Sequence, residues 1–94
     1  MAIRSFRDRA TEAFFATGRT KAGWQSLAAV AGRKLDMLDA ALSLDDLKSP
    51  PGNQLEALSG NRKGQHSIRV NQQWRVCFVW TAAGPADVEI VDYH

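Results

Sequence analysis

The sequence predicts an α+β domain, with N-terminal helices packed on one face of a mostly antiparallel sheet. Three observations predict it. Apolar residues recur at spacings of three and four through residues 25–44, the mark of a buried helical stripe. Residues 73–81 alternate with period two: Trp74, Val76, Phe78 and Trp80 point one way, Arg75, Cys77 and Val79 the other. The tryptophan side should cover the helical stripe, which leaves the Arg75 side more open. Between these halves, Ser49-Pro50-Pro51-Gly52-Asn53 breaks the chain. The whole of residues 1–94, with 45% hydrophobic residues, suits a single domain with a modest core.

In order, residues 3–6 suit an edge strand. A helix is expected over residues 8–17, with Asp8 as N-cap and Gly18 as its stop, lining Ala10, Ala13, Phe14 and Thr17 on one side. Residues 18–23 are polar and basic and read as loop. The long helix over 25–44 should bury Leu27, Ala31, Leu35, Leu38 and Leu42, with Trp24 as a core anchor at its start. Lys34 lies inside that arc, its stem packed and its ammonium reaching water. Gly32 weakens the helix by about 1 kcal/mol relative to alanine. A further short turn is expected over 43–47, a brief strand near 55–58 and a loop over 59–64. Strands follow at 65–70, 73–81 and 87–93. Asn71-Gln72 suits a tight turn, because Asn tolerates positive φ, and Gly84-Pro85 breaks the chain before the last strand.

Composition narrows the function. The single Cys77 rules out an intrachain disulfide, and its mid-strand place favours a packed residue over a reactive thiol. No apolar run reaches the ~18–20 residues of a membrane span, and residues 1–16 lack the apolar stretch of a signal peptide. A cytoplasmic protein is expected. Two histidines and one cysteine, at no ligand spacing, argue against a dedicated zinc site, and no cofactor-binding glycine loop is present. Net charge is only +2, but basic residues cluster at Arg4, Arg7, Arg9, Arg19, Lys21, Arg33 and Lys34, then at Arg62, Lys63, Arg69 and Arg75. Such clusters suit a polyanion, or simply a solvated face.

The remaining chemistry-bearing residues fit metal-free phosphodiester cleavage. That reaction needs a base for the 2′-hydroxyl proton, a cation for the growing phosphoryl charge and an acid for the leaving 5′-oxygen. His94 and Tyr93 are proton-transfer groups, and Asp92 can orient His94 or act as base. Arg75, with Arg69 and Lys63, can hold the phosphate, arginine by bidentate contact. Tyr93, His66 or an exposed tryptophan can stack on an unpaired base. From spacing alone, Asp92-Tyr93-His94 reads more readily as a surface chain end than as a catalytic group.

The chain resembles a HigB-type toxin of the RelE/ParE superfamily, also described as plasmid maintenance system killer proteins. The matching segments are Ile3-Arg4-Ser5-Phe6, Phe14-Phe15, Gly18, Pro51-Gly52-Asn53-Gln54-Leu55 and Leu58-Ser59-Gly60-Asn61-Arg62-Lys63-Gly64. They continue through Ser67-Ile68-Arg69-Val70-Asn71, Trp74-Arg75-Val76-Cys77-Phe78 and Val91-Asp92-Tyr93-His94. The resemblance implies a RelE-like microbial ribonuclease-type domain. It implies a type II toxin that cuts translated mRNA on the ribosome, without metal, and so inhibits translation. It also implies a helix-turn-helix, HigA-like antitoxin as partner. Asp92, Tyr93 and His94 match positions tied to catalysis, and Arg75 matches the strand arginine used for the phosphate. Arg62, Lys63, His66 and Arg69 are expected on RNA. Where some members carry a histidine and, three residues later, a lysine, this chain has Glu56 and Ser59. Either Glu56 serves as base, or activity is weak and leans on Asp92, Tyr93 and His94; a mild toxin is expected. A gyrase-directed or otherwise non-catalytic toxin acting by protein binding is the alternative.

Overall fold

In the computed structural model, residues 2–92 are described. Helix α1 spans Arg9–Thr17 and α2 spans Ala28–Ala40. Four strands follow, β1 Glu56–Ala57, β2 His66–Arg69, β3 Trp74–Thr81 and β4 Gly84–Asp92. Every pairing is antiparallel and the order is β1-β2-β3-β4. Helices and sheet enclose one core, built from Phe14, Trp24, Leu35, Leu38, Ile68, Val76, Phe78, Val88 and Ile90 among others. The α+β architecture read from the sequence is therefore the one found.

Local chemistry explains the elements. Asp8 caps α1 by accepting the N–H of Thr11 at 3.1 Å, and Gly18, at φ 75°, ends it in the left-handed region. The buried side of α1 is Thr11 and Phe14, whereas Ala10, Ala13 and Thr17 are exposed. Thr11 is buried because its hydroxyl accepts the backbone N–H of Ile90, 3.1 Å away on β4. A polar residue therefore takes the place expected of an alanine. Trp24 is a core anchor, packed edge-on against Phe14 at 4.8 Å between centroids.

The predicted helix over 25–44 is shorter. It opens as a 3-10 turn, Gln25–Leu27, and α2 ends at Ala40. Leu42, expected in the core, is 74% exposed. Ser43 and Asp46 form a reciprocal capping box for a new 3-10 turn, Leu44–Lys48, and Asp46 also accepts the N–H of Leu42. That cap turns the chain out of the helical path one turn early, and Ala41 and Leu47 fill the core instead. Lys34 packs its stem as expected, but its ammonium donates to the carboxamide oxygen of the fully buried Asn53.

Gly32 lies inside α2, and a β-carbon there would meet the Phe14 ring at 3.7 Å, ordinary contact. Gly32→Ala should therefore stabilise the chain by about 0.5–1 kcal/mol, the usual helix-interior difference, read as a raised thermal midpoint.

Two strand connections also differ from expectation. Asn71 is not the positive-φ residue of its turn. Its side-chain oxygen instead accepts the N–H groups of Gln73 and Trp74 at 2.8 and 2.7 Å, an Asx-type closure. The last strand begins at Gly84 rather than residue 87. It carries a bulge, where pairing steps from Cys77–Glu89 to Val79–Ala86, with Asp87 at φ 51°. There the expected N-terminal strand is reduced to one parallel bridge, Phe6–Val88, with Arg4 and Arg7 donating to Pro85 and Val88.

Candidate functional site

Pairing register decides which side chains share a face, because residues directly opposite in antiparallel strands project to the same side. One row runs Glu56, Ser67, Cys77, Glu89 across all four strands. The next runs Arg69, Arg75, Val91. These rows form the face turned away from the Val76, Phe78 and Ile90 core. Two arginines thus stand directly opposite one another, a placement that repels in isolation and suits a bound anion. Glu56 approaches Arg75 at 3.9 Å, with its own side chain 52% exposed. Among the described residues, the buried Nη1 of Arg75 makes no hydrogen bond.

Arg62 reaches this face from the β1–β2 connection. Its Nη1 donates to Glu89 on β4 at 2.8 Å and to Gln65 at 3.1 Å. Its side chain therefore reaches from the β1–β2 connection over the sheet to β4. This face was expected to be open, yet Ser67 and Cys77 at its centre have no exposed surface. Burial pushes the Cys77 thiol up to about 11, with Arg62 and Arg75 opposing that rise. Cys77 stays a thiol at neutral pH and is a packed floor residue. A cleft of about 410 Å³ adjoins the face, lined by the run from Glu56 to Arg62.

Not every expected residue gathers here. His66 pairs with Phe78 and stacks on it at 6.2 Å, on the core side of the sheet. Asp92 pairs with Trp74, also on the core side, and accepts from Gln73 at 2.8 Å. Lys63 is exposed just after the 3-10 turn Gly60–Arg62. Tyr93 and His94 lie outside the described residues, and with them the expected meeting of the chain end with Arg75. Glu89 is the site residue that sequence reasoning missed. Its signal was a lone acid in the apolar run Val88-Glu89-Ile90-Val91, uninterpretable without the β3–β4 register.

Among the described residues, no group of three or more His, Cys, Asp or Glu could hold a metal ion, and no helix is long and apolar enough to cross a membrane. A second groove, of about 800 Å³, contains no sheet residue; Ala10, Ala13, Arg19, Lys21, Ala22 and Gln25 help to line it.

A family model described as HigB-like toxin, a RelE-like toxin of type II toxin-antitoxin system HigB, matches residues 4–94. The chain belongs to the HigB-like toxin family. Toxin HigB-1 of Vibrio cholerae serotype O1 is 58% identical over 48 residues, 51% of this chain and 50% of that protein. The chain thus spans about half the length of that curated relative. An uncharacterized protein of Haemophilus influenzae is 42% identical over 74 residues, 78% of this chain and 73% of that one. Among solved structures, a YoeB/ParE toxin from Agrobacterium tumefaciens superposes with a TM-score of 0.53 at 18% identity, covering 100% of this chain and 99% of that one. That likeness shows the fold alone; the RelE-like placement read from the sequence rests on the family match. The HigB-like match runs through every residue of the arginine face.

Proposed function

We propose that this HigB-like chain is the toxin of a type II toxin-antitoxin system and acts in the cytoplasm as a ribosome-dependent endoribonuclease. It cuts mRNA without metal and stops translation, and a helix-turn-helix, HigA-like antitoxin neutralises it. The observation that carries this reading is the Arg69–Arg75 pair on one sheet face, with Arg62 reaching over the same face.

In this mechanism a base takes the 2′-hydroxyl proton and the 2′-oxygen attacks phosphorus. The bond from phosphorus to the 5′-oxygen breaks, and an acid protonates that oxygen. Arg75 and Arg69 offset the charge that grows on the phosphoryl oxygens. Glu56, 3.9 Å from Arg75, is the base nearest that charge among the described residues. His94, Tyr93 and Asp92 are assigned to the remaining proton transfers, and Lys63 to the RNA backbone. His66, stacked on Phe78, serves RNA only from the sheet's other side. With Glu56 and Ser59 in place of a histidine and a lysine, turnover is slow and the toxin mild.

Primer extension on mRNA from cells induced without antitoxin tests this. Discrete new 5′ ends that disappear with His94→Ala are expected, with growth arrest developing gradually. An intact message profile accompanied by a DNA-damage response would sink the nuclease and favour a gyrase-directed toxin.

A further inference from the structure

The mechanism leaves one acid on the arginine face without a task. Glu89 stands mid-strand in β4 with its side chain only 15% exposed. A carboxylate so placed needs compensating partners. Arg62 supplies the close one at 2.8 Å, and Arg7 a distant one at 3.9 Å from an exposed side chain. Arg62 itself comes from a glycine-flanked turn, Gly60 at φ 63° and Gly64 at φ 94°. An arginine on such a loop keeps its many rotamers unless something restrains it. Gln65 and Glu89 do so from two directions.

We propose that Glu89 is a positioning residue, holding the Arg62 guanidinium over the arginine face so that it stands ready, with Arg75, for the scissile phosphate of the RNA. This rests on the ribonuclease reading. Glu89 does not touch the substrate; it acts through Arg62. Charge alone makes the opposite forecast. Removing Glu89 makes the face more positive, which by attraction alone would only tighten RNA binding. Positioning instead forecasts a fall in kcat with KM no higher, the signature of an interaction realised in the transition state.

The test compares Glu89→Gln, Glu89→Ala, Arg62→Ala and the Glu89→Ala/Arg62→Ala double variant in mRNA cleavage on programmed ribosomes, with melting temperatures alongside. Glu89→Gln conserves volume and serves if the alanine variant does not fold. The Glu89 variants should lose about tenfold in kcat with KM unraised, and the double variant should be no worse than Arg62→Ala alone. Losses that multiply, or a raised KM at unchanged kcat, would overturn the proposal. A second readout needs no catalysis. Nitrogen-15 spectra should show slowly rotating, separate Nη signals for Arg62 that average together in Glu89→Ala. Signals unchanged by the substitution would overturn the assignment. A parent chain that leaves ribosome-bound mRNA uncut would remove the ribonuclease reading, while these spectra would still decide whether Glu89 fixes Arg62.

Discussion

An Arg75→Ala chain should cleave ribosome-bound mRNA at least about 100-fold more slowly than the parent, the usual effect of removing one preorganised donor from a charge-stabilising site. The guanidinium sits in the middle of β3, with its side chain 20% exposed and Nη1 buried. Placement on a central strand fixes it more tightly than a loop would. Its ion pair with Glu56 is long, and Glu56 is half exposed, so the stability lost with it is about 0–1 kcal/mol. The melting temperature should therefore stay within a few degrees. Arg75→Lys should recover only part of the rate, since a lysine keeps the charge but not the planar fork. Undiminished cleavage or toxicity in the alanine variant would dismiss Arg75 from the mechanism.

Asn53→Ala should damage the stability of the fold far more than Arg75→Ala does. Asn53 has no exposed surface, and its amide donates to the carbonyls of Leu47 at 3.1 Å and Ser49 at 3.3 Å, and to the Met37 sulfur at 3.1 Å. Its oxygen accepts from Lys34, whose burial already holds that ammonium below its ordinary value. Alanine would empty a fully buried position and remove the amide's bonds to both carbonyls and to Lys34, a loss of about 2–4 kcal/mol. At roughly 4–8 °C per kcal/mol for a domain of this size, the melting point should fall by at least about 8 °C. A circular-dichroism melt decides it, and a shift below about 3 °C would mean that water replaces the amide at little cost. The damage should also reach the site, because Asn53 anchors the Pro51–Asn53 turn that leads into β1 and Glu56.

Much of this fold was legible because its strongest signals are local. The period-two run in β3 and the α2 stripe through Ala31, Leu35 and Leu38 need no distant partner. Leu42 misled because it extends the apolar spacing up to Ser43 and Asp46, and the cap outranks the repeat. Thr11 escaped because the hydroxyl's partner, Ile90, is 79 residues away in sequence. At the site, the side of Arg75 could be read from alternation alone. The sides of His66, Asp92 and Glu89 could not, because they depend on register, and a slip of one residue exchanges the faces. The bulge between Cys77 and Val79 adds such an offset, and no apolar pattern announces it.

The outer border of β4 has a consequence for recognition. Pro85 and Val88 already accept from Arg4 and Arg7, Val88 donates to Ser5, and Ile90 donates to Thr11. Those amides and carbonyls are spent within the molecule, so a visiting polypeptide cannot zip onto residues 85–88 of this flank as an additional strand. Any protein that grips the chain from that direction has to read its side groups.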